Sequence, residues 1–158
     1  MTAAETLADG ALGSLLVACA KDPGDRLATV KDLDYLRWRY GQFDEYRALR
    51  TDAGEGGGGM VIFRLRRHGP FWGSHVCELF VQRRDRRTAR KLLGRVRDAA
   101  SADFIECNFS SRRQAAQHGF VQYPDRSVLM TYPIQQNLVP DPTQRASWAL
   151  SLGDLELL

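Results

Sequence analysis

Eleven Lys and Arg residues fall between Arg64 and Arg97, although the whole 158-residue chain carries a formal net charge of only +3. Within that stretch, Gln82 to Thr88 follows a segment of strand character and precedes residues spaced for a helix. A loop so placed ends on unpaired amides at the positive end of a helix dipole, which favours phosphate. Arg83, Arg84, Arg86 and Arg87 would add charge-assisted donors. The pattern describes an anion site, while a solvated basic helix face satisfies the same composition. Glu78, on the preceding strand, reads by itself as a strand residue paired with one of the arginines.

Other chemistries find less support. Cys19, Cys77 and Cys107 are far apart, without C-x-x-C spacing, and read as buried thiols. His68, His75 and His118 are scattered, so no metal site is expected. His118 stands where a helix C-terminus would favour a cation. The glycine run ending at Gly59 has neither a following helix nor a Lys-Ser/Thr, so it is not a phosphate loop. No aromatic residue interrupts Arg83 to Arg97, which disfavours nucleic acid as a partner. The longest apolar stretch, Leu12 to Ala20, is interrupted by Gly13 and Ser14 and is too short for a bilayer. With no signal-peptide pattern either, a cytoplasmic protein without membrane attachment is expected.

The elements that must position these residues follow from periodicity. Ala4 to Ala20 reads as one helix, and Lys31 to Tyr40 as a second with Asp32 as its cap. Strands are expected over Tyr46 to Thr51, Met60 to Arg66 and Gly73 to Gln82. In the third, Val76, Glu78, Phe80 and Gln82 share one face, with Cys77, Leu79 and Val81 on the other. Ala89, Leu92, Leu93, Val96, Ala99 and Ala100 define an amphipathic helix. A strand over Asp103 to Asn108, a helix over Ser111 to His118 closed by Gly119, and strands over Ser127 to Ile134 and Ser147 to Leu152 complete the chain. This order gives one compact α/β domain with a mixed sheet: a helical segment over 1–30, then the sheet-bearing unit over 31–158. Val76 to Val81 and Phe104 to Cys107 should be parallel neighbours joined over the helix Ala89 to Ala100.

The turn Arg84-Asp85-Arg86-Arg87-Thr88-Ala89, the pair Leu92-Leu93, Asn108 and Gln117-His118-Gly119-Phe120 fall in the order of a strand, R-x-x-G-x-G/A turn, helix, strand and Gly-Phe-ended helix. Asp34-Tyr35-Leu36-Arg37-Trp38-Arg39-Tyr40 with Glu45-Tyr46-Arg47, and Trp148-Ala149-Leu150-Ser151-Leu152-Gly153-Asp154, flank them. Together these landmarks, over roughly residues 30 to 155, resemble the GNAT N-acyltransferase superfamily, in particular the C-terminal lobe of bacterial GNAT-like proteins from polysaccharide and cell-envelope gene clusters. The resemblance implies a mostly antiparallel mixed sheet with one parallel pair splayed around a cofactor cleft and helices on both faces.

It further implies an acyl-CoA co-substrate, acetyl-CoA or another, and direct N-acyl transfer to a primary amine of a small molecule, amino sugar or peptide. By the same resemblance Arg84, Arg86, Arg87, Thr88 and Ala89 would hold the pyrophosphate, Leu79, Phe80 and Val81 would line pantetheine, and Asn108 would face it. Glu78 would be the base. Arg87 replaces the family's middle turn glycine, and Ala115 its usual general-acid tyrosine, for which Tyr123 and Tyr132 are candidate substitutes. These departures keep open a non-catalytic binding or assembly module on the same fold. Met1 to Lys21 shows no opening strand, so a lone lobe completed by a second copy or a partner is expected. The apolar Leu7, Leu12, Leu15 and Leu16 would supply the contact, as a homodimer or hetero-complex.

Overall fold

A computed structural model describes residues 1–20, 25–51, 58–82, 85–109, 112–121 and 137–155. Their helices are α1 (Ala3–Leu7), α2 (Leu12–Cys19), α3 (Leu33–Tyr40), α4 (Arg86–Ala100), α5 (Arg112–Gln117) and α6 (Leu152–Leu155), and their strands are β1 (Tyr46–Thr51), β2 (Gly59–His68), β3 (Phe71–Val81) and β4 (Phe104–Cys107). The strands form one sheet in the order β1-β2-β3-β4. The first two pairings are antiparallel and the last is parallel. The protein is therefore α/β with a mixed, mostly antiparallel sheet.

Each face of the sheet has its own core. On one, Leu7, Leu12, Leu16, Leu36 and Tyr40 from α1 to α3 bury against Tyr46, Met60, Ile62 and Phe80. On the other, Leu92, Leu93 and Val96 of α4 bury against Val61, Phe63 and Val76. The expected apolar stripe of α4 is thus its contact with the sheet, although Ala99 is exposed. Because Leu7, Leu12 and Leu16 are covered by the chain itself, they give no reason for association with a partner.

Four sequence expectations are corrected or fall outside the description. The single helix over Ala4 to Ala20 is two, because Asp9 turns its Oδ1 onto the Ala11 amide at 2.9 Å and ends the first. The expected strand Ser147 to Leu152 is a 3₁₀ turn at Arg145–Ser147, one parallel bridge from Trp148 to Leu27, and the start of α6. The expected strand Ser127 to Ile134 lies outside the described residues. In β3 the pattern of faces breaks at a bulge: Ile62 pairs with Glu78 but Phe63 pairs with Val76. One extra residue therefore separates Val76 from Glu78, and the two lie on opposite faces.

Candidate functional site

The bulge is also where the parallel pair parts. β3 and β4 pair only from Gly73–Phe104 to Val76–Cys107, so the parallel neighbour relation holds but over Gly73 to Val76 rather than Val76 to Val81. From Cys77 to Val81 β3 runs on without β4, and α4 begins five residues later.

Into this parting the C-terminal segment is laid. Leu27 and Trp148 bridge through Leu27 N to Ser147 O at 2.7 Å and Ala149 N to Leu27 O at 2.8 Å. Asn108 Nδ2 donates to Leu150 O at 2.9 Å, and α6 packs on β3. Ser151 and Asp154 cap α6 reciprocally: Asp154 Oδ2 accepts the Ser151 amide at 2.7 Å and Ser151 Oγ the Asp154 amide at 3.2 Å.

That docking gathers a buried polar cluster around Glu78. Lys31 Nζ lies 2.7 and 2.8 Å from the two Glu78 carboxylate oxygens, 2.8 Å from Asp154 Oδ2 and 2.6 Å from Ser151 Oγ. Tyr40 donates its hydroxyl to Glu78 Oε1 at 2.9 Å. Arg39, also buried, donates to Gly153 O. Asp154 Oδ1 is buried with no hydrogen-bond partner among the described residues.

Burial pushes the Glu78 carboxyl above its ordinary range, and the Asp154 charge adds to the rise while Lys31 opposes it. For Asp154, burial also acts upward but is outweighed by the hydrogen bond and charge of Lys31 and by bonds from Ser151 and Thr29, leaving it below its usual value. Burial and the adjacent Glu78 raise the Tyr40 phenol. Glu78 therefore takes up the first proton as pH falls.

A carboxyl with a raised folded pKa stabilises the fold below its unfolded pKa, and that contribution disappears as pH rises through the folded value; a depressed carboxyl behaves oppositely. Stability should accordingly rise on mild acidification, between the folded pKa of Glu78 and the ordinary glutamate range. It should then fall in stronger acid as Asp154 protonates. Urea titrations across pH will show the first limb in the wild type and not in Glu78→Gln; equal slopes in both would refute the assignment.

No family of proteins, curated protein or solved structure matches this chain. The site is therefore read from its own geometry. Of the expected catalytic residues, Glu78 stands at the parting of the strands, and Tyr123 and Tyr132 lie outside the described residues, as does Arg84. Among the expected cofactor contacts, Leu79 and Val81 are half-buried on the α4 face and Phe80 is buried on the opposite one. Arg86 and Arg87 are exposed on the first turn of α4, next to half-buried Thr88 and buried Ala89. There Asp85 Oδ1 already accepts the Thr88 amide at 2.9 Å, and bonds from Thr88 hold the Asp85 carboxyl below its usual range.

His118, expected as a dipole-stabilised cation, is shifted toward the neutral form by burial and by the charges of Arg90 and Arg86. An open cleft of about 570 Å³ between α4 and Gly119 to Val121 contains none of the expected site residues. No described helix is long and apolar enough to cross a membrane.

Sequence reasoning missed Lys31, Tyr40, Ser151 and Asp154 as members of one cluster. A signal for part of it was present, since Ser151-Leu152-Gly153-Asp154 has the S-x-x-D form of a helix start. Nothing local in the sequence joins Lys31 to residues more than a hundred positions later.

Proposed function

We propose that the chain is an acyl-CoA-dependent N-acyltransferase acting directly on a primary amine. The observation that carries this reading is the parallel pair that separates at a bulge, with a carboxylate of raised pKa at the parting and a helix N-terminus just beyond the end of the longer strand. Alongside the docked C-terminal segment, the edge of β3 beyond its pairing with β4 would take the thioester arm of the co-substrate, and the first turn of α4 its phosphates. Glu78, biased toward accepting a proton, would receive the one lost by the attacking ammonium. The amine nitrogen then bonds to the acyl carbon, the carbon–sulfur bond breaks, and the second proton shed by that nitrogen passes to the departing thiolate, giving the amide and free CoA. Asp154 Oδ1, a buried acceptor in the same cluster, would take an N–H of the incoming amine.

A second reading, the non-catalytic module, is favoured by the Asp85 cap. Its carboxylate occupies the Thr88 amide that a phosphate would need. Thermal shift with acetyl-CoA and with CoA separates the two, because a ligand of the native state raises the melting temperature. The enzyme reading expects a rise in the wild type that is weakened by Arg86→Ala, and turnover that falls in Glu78→Gln with CoA affinity unchanged. Asp85→Ala should cost about 0.5–2 kcal/mol of stability as a lost cap yet tighten CoA. No shift in the wild type, with binding appearing only in Asp85→Ala or Arg87→Gly, would overturn catalysis in favour of the module.

A further inference from the structure

His68, His75 and Glu106 stand far apart in sequence, and the sheet brings them together on three neighbouring strands, β2, β3 and β4. Glu106 is the register partner of His75 in the parallel pair, and His68 reaches His75 along the hairpin. One ligand atom from each residue lies within 4.8 Å of the others. We propose that these three side chains form a binding site for a divalent transition-metal ion, zinc by ligand type, separate from the Glu78 cluster and toward the β2–β3 turn.

The geometry is that of converging ligands. His68 Nε2 and His75 Nε2 are 2.8 Å apart while their ring centroids are 5.0 Å apart, so the rings meet edge to edge through these nitrogens, not face to face. The two nitrogens face each other head-on in a hydrogen bond, at one edge of the site. Glu106 Oε2 lies 3.5 Å from His75 Nε2, close to the roughly 3.3 Å between two ligands of a tetrahedral ion with bonds of about 2 Å. The histidine pair is too close and meets head-on, so binding requires one ring to turn and the pair to open by at least about half an ångström. The exposed His68 at the end of β2 can provide it.

Without metal, one imidazole donates Nε2–H to the other. On binding, that proton moves to Nδ1 of the same ring, leaving two neutral Nε2 ligands and the Glu106 carboxylate. Three protein ligands leave a fourth position for water, and His68 and Glu106 are both exposed, which gives the ion a path of entry.

Neighbouring side chains favour the arrangement. The Phe104 ring lies over Gly73, where any Cβ would come within 2.5 Å of it, and its edge meets the His68 ring at 5.5 Å. It backs His68 on that side. Arg64, the register partner of His75, is drawn toward β1 by Glu45 at 2.7 Å and by the Tyr46 ring at 5.5 Å, so its charge is turned from the site.

The test is titration of the metal-free protein with Co²⁺, followed by visible absorption, with Zn²⁺ in competition. A single site should give the intense d–d bands of low-coordinate Co²⁺ with no thiolate charge-transfer band, and Zn²⁺ should abolish them. His68→Gln and Glu106→Gln, both surface changes, should each weaken binding at least ~10-fold, the lower bound for losing even a supporting residue of a metal site. Cys107→Ser should leave it unchanged. NMR of the Co²⁺-loaded wild type provides a readout that needs no variant: exchangeable imidazole N–H resonances from two histidines should be shifted paramagnetically. Uptake no greater in the wild type than in a variant carrying both His68→Gln and Glu106→Gln, a thiolate band lost in Cys107→Ser, or shifted signals from fewer than two histidines would each overturn the site.

Discussion

Lys31→Met should lower folding stability by about 3–5 kcal/mol, the usual cost of removing one partner of a buried ion pair. For a chain of this size that is a fall of roughly 6–20 °C in melting temperature. Among the described residues the Lys31 ammonium is the cation that contacts both carboxylates, and the Glu78 and Asp154 side chains it joins are 4% and 5% exposed. Methionine fills nearly the same volume, so packing is conserved and the loss reports the charge. The two carboxylates left behind repel one another in a medium that screens them poorly. Adding Glu78→Gln to Lys31→Met removes one of those charges and should return part of the loss. A Lys31→Met protein within about 1 kcal/mol of wild type in urea unfolding would mean that water reaches the cluster.

The sheet and its helices were legible because their periods are strong and local. Leu92, Leu93 and Val96 repeat at helical spacing and bury together under the sheet, and Asp32 caps α3 by accepting the Tyr35 amide, as its sequence position indicated. The parallel pair followed from a strand, helix and strand in succession. The bulge at Cys77–Glu78 was not legible. Strict alternation assigned Val76 and Glu78 to one face, and a single extra residue against Ile62 reverses that relation with no marker in residue type.

The site divides in the same way. Glu78 was identifiable as a carboxylate on a strand next to a basic loop. Its partners were not, since Lys31 and Asp154 are 123 positions apart and meet only when α6 docks. The histidines show the same limit: His68 and His75 are seven positions apart, and only the hairpin makes them neighbours. Local patterns thus announce elements and caps, whereas a polar cluster built from several elements exists only at the level of tertiary packing. Trp148-Ala149-Leu150 looked like a strand because its residues favour one, yet it makes a single bridge. Other polar groups of the tail pair with Asn108, Lys31 and the α6 cap instead.

Gly153→Ala should undock that tail. A Cβ at Gly153 would lie 2.1 Å from Tyr40 Oη, 2.9 Å from Glu78 Oε1 and 3.2 Å from Cys77 O. None of the three has room to retreat: Tyr40 is fully buried and packed edge-on against Tyr46 at 4.9 Å, Glu78 is held by Lys31, and Cys77 O is backbone. Overpacking of this kind costs about 1–3 kcal/mol. The cheapest relief is for α6 to lift, taking Ser151 and Asp154 from Lys31. Limited proteolysis should then cut within residues 147–155 of the variant, while the sheet still unfolds as one unit at a lower temperature. Tyr40→Phe removes the closest clashing atom at the expense of one hydrogen bond to Glu78. The two changes should therefore be less damaging together than the sum of their separate effects, by more than the roughly 0.5 kcal/mol within which independent sites add. Simple additivity, or a Gly153→Ala protein whose tail resists protease as the wild type does, would show that Gly153 does not rest on Tyr40.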